Sequence, residues 1–269
     1  MKGHGGKPVS HQYCKVEAKN HILVVTISRP DQRNALHPPA NHELGEVFDT
    51  FENSPEYWVG IVTGEGEKAF CAGMDLKHTN SMAAGSFVPP SGFGGLTSRF
   101  ERKKPLIAAV NGFASGGGFE LALACDVIIA SQTAKFGLTE PRVGLAALGG
   151  GIQRLIREIG PKRANGLLLT ARQVSAAEGL RLGFVNEVVP QGELMTAALH
   201  WAGEILQCSP NSIHATKAVG NALDGQSVQA AMQSMLDLPA VKGLFSSPDA
   251  KEGPRAFAER RAPRWHDPD

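Results

Sequence analysis

Two glutamates in glycine-rich settings are the residues of this chain best suited to do chemistry. The first, Glu120, lies in the stretch Asn111–Asp126, NGFASGGGFELALACD. Gly116, Gly117 and Gly118 precede it, and a helical run from Phe119 to Ala124 surrounds it. Glycine admits positive φ and lets a ligand approach the backbone closely. The first turn of a helix offers unpaired N–H groups and partial positive charge. Such a turn can hold a carbonyl oxygen that becomes anionic during a reaction. A carboxyl group beside it can move the proton. The second glutamate, Glu140, sits in Leu138-Thr139-Glu140-Pro141, just before a proline, where the backbone is extended or turning.

A blander reading competes. Glycine triplets also let a helix pack tightly on a sheet, and glutamate in a first turn complements the helix dipole. A second loop shifts the balance. Lys68–Leu76, KAFCAGMDL, is an apolar step, a bend of small residues and a helix start with Asp75 early in it. Its backbone could present another N–H group. Two donors from separate loops are the minimum for an oxyanion hole. Cys71 reads as a small buried filler, because no histidine stands near it in sequence to activate it.

Other chemistries lack their signatures. The nine histidines show neither H-x-x-x-H nor H-E-x-x-H spacing. There is no Gly-x-Ser-x-Gly elbow and no P-loop. The four cysteines are dispersed without C-x-x-C spacing, which argues against a metal knuckle or disulfide framework and for a reducing compartment. A net charge of +1 gives no bulk attraction to nucleic acid or membrane. No apolar run approaches a membrane span. The first residues lack a signal-peptide core, and the last, HDPD, are not a peroxisomal tripeptide. The expected location is the cytoplasm or an organelle matrix.

The elements that must position the glutamates follow from periodicity. Residues 1–12 read as a flexible lead. Tyr13–Ala18 and His21–Ser28 read as a hairpin. His37–Asn53 has helical periodicity, with Leu44, Val47, Phe48 and Phe51 on one face. Trp58–Thr63, Leu106–Val110, Asp126–Ala130 and Phe184–Val189 read as strands, with a short strand at Thr133–Gly137. Asn80–Gly95 reads as a loop at a pocket rim and Leu96–Arg102 as a short helix. Gly149-Gly150-Gly151 opens another helix, and Pro161 suits the first turn of the next. Ser175 and Glu178 fit a capping box. Helices then cover about Glu193–Gln207, Pro210–Leu223, Val228–Leu238 and Asp249–Arg261. Glu259-Arg260-Arg261 and Arg264 read as a solvated face. The pattern is an α/β core followed by helices.

Three stretches in this order resemble the crotonase, or enoyl-CoA hydratase/isomerase, family. They are Ala69-Phe70-Cys71-Ala72-Gly73-Met74-Asp75-Leu76, Asn111 to Glu120, and Phe136-Gly137-Leu138-Thr139-Glu140. The ending from Asp249 to Arg261 is similar to the carnitinyl-CoA dehydratase branch, an ending that other bacterial hydratases share. The resemblance implies a spiral of stacked ββα units over residues 13–200. It also implies a helical C-terminal region, 201–269, that forms homotrimers, often paired as homohexamers. It implies an acyl-CoA thioester as substrate, no metal, and no cofactor beyond the coenzyme A carried by the substrate. Position by position, it places the oxyanion-hole amides at Met74 and Gly117 and the acid/base carboxyls at Glu120 and Glu140. Arg33, Ala35, Ala72, Asp75, Leu76 and Gly116 would lie along the coenzyme A moiety, and Phe257 would close that channel.

Isomerases of the family usually keep one of the two glutamates. Both are present here, so water addition or elimination is expected over double-bond migration. The sequence does not say which glutamate is acid and which is base. A specialised dehydratase of the carnitinyl- or mevalonyl-CoA type would use the same residues in reverse. An RNA-binding homologue would want a lysine-rich face, which the scattered lysines do not supply. Many members carry proline and glycine where this chain has Ala147 and Leu148, so the pocket opposite Glu140 is expected to differ.

Overall fold

The computed structural model describes residues 11–77, 87–222 and 225–267. Most of the lead and the first part of the expected rim loop, residues 80–86, lie outside these residues. The chain opens with β1 (Cys14–Lys19) and β2 (Ile22–Ile27), joined antiparallel by a tight turn in which Asn20 and His21 both take positive φ. That is the turn whose twist matches a hairpin. Helix α1 (Pro38–Asn53) buries Leu44, Val47, Phe48 and Phe51, as its periodicity requires.

The spiral emerges in the next segments. β3 (Val59–Gly64), β5 (Leu106–Val110), β7 (Val127–Ser131) and β10 (Glu187–Val189) join β1 and β2 in one six-stranded sheet, ordered β1-β2-β3-β5-β7-β10 and parallel after the hairpin. β4 (Ala69–Cys71), β6 (Phe113–Ser115), β8 (Lys135–Gly137) and β9 (Val174–Ser175) form a second sheet. Each turn of chain therefore gives one strand to each sheet: β3 then β4, β5 then β6, β7 then β8. Helix α2 (Gly117–Leu123) follows β6 directly.

β5 explains why its sequence is apolar throughout. Leu106, Ala108 and Val110 face the core between the sheets, while Ile107 and Ala109 face α6 (Leu194–Leu206) on the other side. A strand buried on both faces has no polar alternation. Helix α6 contributes Leu194, Ala198 and Ala202 to that second core and runs unbroken past residue 200, so the helical region begins within an element of the core.

Leu96–Arg102 is not a helix. A 3-10 turn spans Phe93–Gly95, and the chain leaves it in a series of turns. Gly92, Gly94 and Gly95 all take positive φ, and side-chain bonds such as that from the Phe93 N–H to Thr97 Oγ1 (2.9 Å) replace helical ones. The short strands β4 and β9 were not read as strands, and two further elements went unforeseen. They are β6, three residues hidden inside the glycine motif, and α9 (Pro239–Ser246), which packs on α7 (Pro210–Ala222). Of the cluster read as a solvated face, Glu259, Arg260 and Arg264 are exposed and Arg261 is half-buried. Arg261 pairs with Glu252, which is buried in α10 (Asp249–Ala258), and the Arg264 N–H donates to the same carboxylate at 2.8 Å. Among the described residues no helix is long and apolar enough to cross a membrane.

Candidate active site

Helix α2 is fixed from both ends of its first turn. Phe119 packs with Phe136 and Phe184, ring centroids 5.1–5.3 Å apart in each pair. Gly118 lies so close to β4 that a Cβ there would stand 1.9 Å from the Cys71 carbonyl oxygen. Gly116 caps the helix at φ 55°, ψ −128°, a conformation open to glycine. A Cβ on Gly117 would meet the Phe93 ring at 2.8 Å. Each glycine of the triplet thus answers a separate demand. Phe119 faces the aromatic cluster, and Glu120, the next residue round the helix, lines a cavity.

The loop after β4 comes up beside this turn. The Leu36 N–H donates to the Gly73 carbonyl (2.8 Å), and the Asp75 N–H donates to the Leu36 carbonyl (2.9 Å). In an extended chain successive N–H groups point to opposite sides. The N–H of Met74 therefore points away from Leu36. A Cβ on Gly73 would lie 3.2 Å from the Gly117 nitrogen, so the two loops are in contact. Gly117 is the first residue of its helix, where the N–H has no intrahelical partner. Met74 and Gly117 both border the same cavity, of about 500 Å³.

Glu120 is 5 % exposed. Its Oε1 accepts the Gly151 N–H at 2.9 Å. Burial raises its pKa to about 7, with the nearby Glu140 charge adding to the effect and the Gly149–Gly151 backbone and Arg154 opposing it. Glu140 begins a 3-10 turn (Glu140–Val143), and burial raises its pKa too. Its Oε2 is buried with no protein hydrogen-bond partner, and its Oε1 would lie 3.3 Å from a Cβ on Gly116. The hydroxyls of Ser115 and Thr139, 3.0 Å apart, tie β6 to the residue before Glu140. Burial thus holds two carboxyls above their ordinary range in one cavity, the setting that paired acid/base chemistry uses.

Of the residues expected at the site, Glu120, Glu140, Gly116, Gly117, Met74, Ala72 and Leu76 line this cavity. Arg33, Ala35, Asp75 and Phe257 do not. Asp75 is buried and pairs with Arg29 at 3.1 Å, and Arg29 also donates to the Ala35 carbonyl. This pair holds the loop rather than lining the pocket. Arg33 is exposed, with its carbonyl accepting the Ala72 N–H at 3.1 Å. Phe257 is 88 % exposed, since α10 turns Asp249, Glu252 and Ala256 inward and leaves it on the other side. At the two departures, Ala147 is buried and Leu148 is exposed at the cavity mouth, with Leu76, Val143 and Leu145 completing an apolar rim.

The loop expected at the pocket rim does line the cavity, through Val88, Gly92 and Phe93, whereas sequence reasoning missed Gly149 and Gly151 as parts of the site. The Gly149–Gly151 run was visible, but only as a helix start. Its contact with Glu120 spans thirty-one positions and carries no local signal. Cys71 is fully buried, its thiol pushed up to about 12, as a filler should be. Away from the cavity, His11, Cys14 and Glu43 bring ligand-type atoms within 4.8 Å of one another. Glu43 already accepts the Gln12 and Tyr13 N–H groups at 2.7 Å each, and burial pushes the Cys14 thiol up to about 12. This trio pins the first strand to α1.

Two stacked sheets wound as a spiral, with a carboxyl pair and two backbone amides opening on one cavity, define an enzyme of the crotonase class. The family model described as enoyl-CoA hydratase/isomerase matches residues 17–268, and the chain belongs to that family. It is 40 % identical over 257 residues to a carnitinyl-CoA dehydratase of Proteus mirabilis, covering 94 % of this chain and 98 % of that one. It is 42 % identical over 247 residues to the carnitinyl-CoA dehydratase of Salmonella typhi, covering 91 % and 94 %. Among solved structures, an enoyl-CoA hydratase from Mycobacterium tuberculosis superposes with a TM-score of 0.89 at 38 % identity, over 95 % of this chain and 99 % of that one. The chain is thus a hydratase-like lyase by family.

Proposed function

We propose that this enzyme adds water to, or removes it from, the 2,3-double bond of an enoyl-CoA thioester, with Glu120 and Glu140 as its acid/base pair. The observation that carries the reading is the convergence of the two carboxyls on a cavity bordered by the Met74 and Gly117 amides. In the hydration direction the thioester oxygen accepts both amide N–H groups. One glutamate takes a proton from water as its oxygen bonds to the β-carbon. The π electrons move onto the thioester oxygen as an enolate, and the other glutamate delivers a proton to the α-carbon. Each amide supplies on the order of 3 kcal/mol in the transition state.

Coenzyme A enters as part of the substrate, and the chemistry requires no separate cofactor. The loop from Arg33 to Leu36, braced on Ala72–Asp75, supplies the edge along which the nucleotide and pantetheine lie. Gly116 and Leu76 border the thioester end. The apolar rim of Leu76, Val143, Leu145 and Leu148 accepts the acyl and pantetheine chains. A homotrimer or homohexamer would cover the exposed Phe245 and Phe257 of the helical region.

Dehydration of a 3-hydroxyacyl-CoA is the same path reversed. The carnitinyl-CoA dehydratase relatives make hydroxylated esters worth testing beside crotonyl-CoA. The test is loss of enoyl-thioester absorbance with crotonyl-CoA, and its gain with 3-hydroxyacyl-CoA, in the wild type, Glu120→Gln and Glu140→Gln. Turnover in the wild type and its collapse in both variants, with CoA-ester binding retained, supports the reading. Full turnover in either variant overturns it.

A further inference from the structure

One side chain that does not itself line the cavity joins two residues that do, Gly149 and Thr97. Arg154, in α3 (Gly151–Ile159), donates from Nη1 to the Gly149 carbonyl (3.3 Å) and from Nη2 to the Thr97 carbonyl (2.8 Å). Its guanidinium lies against Gly150, where a Cβ would stand 2.1 Å from Nη1, and over the Phe100 ring, 5.8 Å from the centroid.

Both carbonyls belong to segments that touch catalytic groups. The Gly149–Gly151 turn wraps the Glu120 carboxyl. A Cβ on Gly149 would sit 2.5 Å from Oε2, and one on Gly151 would sit 2.9 Å from Cγ. The Thr97 segment begins at Phe93, whose ring packs on Gly117 and whose N–H is held by Thr97 Oγ1. A planar guanidinium with a fixed fork of donors can span two such carbonyls; an ammonium cannot hold both in one plane. We infer that Arg154 is a positioning residue: it locks the Gly149–Gly151 turn to the Thr97 segment, and so sets the orientation and charge balance of Glu120 relative to the Gly117 amide. The inference rests on the proposed acid/base role of Glu120.

Two charged groups face Glu120. Glu140 approaches from the turn after β8, across the cavity, and raises its pKa; Arg154 approaches from α3 and lowers it. Removing the cation leaves the carboxylate opposed by Glu140 and burial alone, so the titration of Glu120 moves upward.

The test compares the wild type, Arg154→Gln and Arg154→Lys in two readouts. One follows the carboxylic-acid C=O stretch by infrared difference spectroscopy against pH, with Glu120→Gln assigning the band. The other measures kcat and KM against pH on the ester that the wild type turns over best. Arg154→Gln should shift the band's midpoint upward. It should lower kcat about 10- to 100-fold, the scale of a displaced catalytic group, with KM changed little. Arg154→Lys should return the midpoint toward the wild-type value while recovering only part of kcat, because the charge is restored without the two-carbonyl span. An unshifted midpoint in Arg154→Gln, or full recovery of kcat in Arg154→Lys, overturns the inference. If Arg154→Gln melts too early to assay, the Lys variant carries the test. The band titrates whether or not any ester is turned over, so failure of the hydratase reading would appear as an inactive wild type with the Arg154 effect intact.

Discussion

Oε1 of Glu120 accepts the N–H of Gly151 at 2.9 Å, and this single bond couples the first turn of α2 to the first turn of α3. Two glycine runs, far apart in sequence, thereby become one structure. The first presents an amide and the second grips the carboxyl beside it. The grip is close because Gly149 and Gly151 have no side chains.

Gly149→Ala tests that closeness. The added methyl would stand 2.5 Å from Glu120 Oε2, so the carboxyl or the turn must move. Overpacking of this kind costs about 1–3 kcal/mol of stability. Displacing the carboxyl by a fraction of an ångström should lower kcat about 10- to 100-fold. Thermal melts and steady-state kinetics together check it. A variant with wild-type kcat would show that the turn gives way without disturbing Glu120.

Glu120 also makes stability depend on pH. Its pKa is raised from an ordinary 4.5 to about 7 by burial. Below the lower value the carboxyl is neutral in both folded and unfolded chains, so it costs nothing. Between the two values the unfolded chain ionises first, and stability falls as pH rises. Above the higher value the whole cost is present, about 3 kcal/mol. Glu120→Gln should therefore stabilise the protein by about 1–3 kcal/mol near pH 8 and by almost nothing near pH 4. Denaturant melts of both proteins across that range would show it. A pH-independent difference would mean that Glu120 is ionised at no cost.

The parts of the site that were legible in the sequence are those whose demands are local. Gly116–Gly118 and Glu120 share one turn, and the Cys71–Asp75 bend announces itself by small residues. Helix α1 was legible because its burial is periodic, and β2, β3 and β5 because they are short, nearly continuous apolar runs. What escaped depends on contacts distant in sequence. The span of Arg154 between Gly149 and Thr97 cannot be read from a helix whose apolar spacing is complete without it. β6 was lost because three residues beside a glycine turn leave no room for alternation. The family resemblance alone puts Asp75 along the coenzyme A moiety, and its pairing with Arg29 depends on a residue 46 positions away that carries no local signal. The resemblance alone puts Phe257 at the mouth of the coenzyme A channel; it is exposed on α10, whose buried face is Asp249, Glu252 and Ala256.

The Phe93 ring and Gly117 form a second pair with a predictable response. Gly117→Ala places a methyl 2.8 Å from that ring, a side-chain obstacle rather than a backbone one. It should lower kcat by shifting the oxyanion amide, whose full loss is worth on the order of 3 kcal/mol. Trimming the obstacle with Phe93→Leu in the same chain should recover part of that loss. Gly118→Ala, which meets the Cys71 carbonyl at 1.9 Å, should not be rescued by any side-chain change and should fail to accumulate as folded protein. Kinetics of the single and double variants, with soluble yield for Gly118→Ala, check the contrast. Equal behaviour of the two alanine variants would show that backbone and side-chain neighbours yield alike.

The Arg29–Asp75 ion pair separates holding a loop from touching a substrate. Both side chains are about nine-tenths buried, with 10 % and 9 % exposure, and the pair ties the loop after β4, through Asp75, to the Arg33–Leu36 loop, through the Ala35 carbonyl that Arg29 also holds. Removing one partner leaves the other charge buried, which costs about 3–5 kcal/mol. Asp75→Asn and Arg29→Met should each lower the stability by about that amount, seen as an earlier melt. Each should also raise KM for the CoA ester, because the Arg33–Leu36 loop loses its brace. The double variant Arg29→Met/Asp75→Leu should be more stable than either single one, since an apolar pair leaves no uncompensated charge. If Asp75 instead contacted the nucleotide directly, Asp75→Asn would raise KM with no loss of stability, and the double variant would bind no better than the singles. Melting curves and KM values for the four proteins decide between the two.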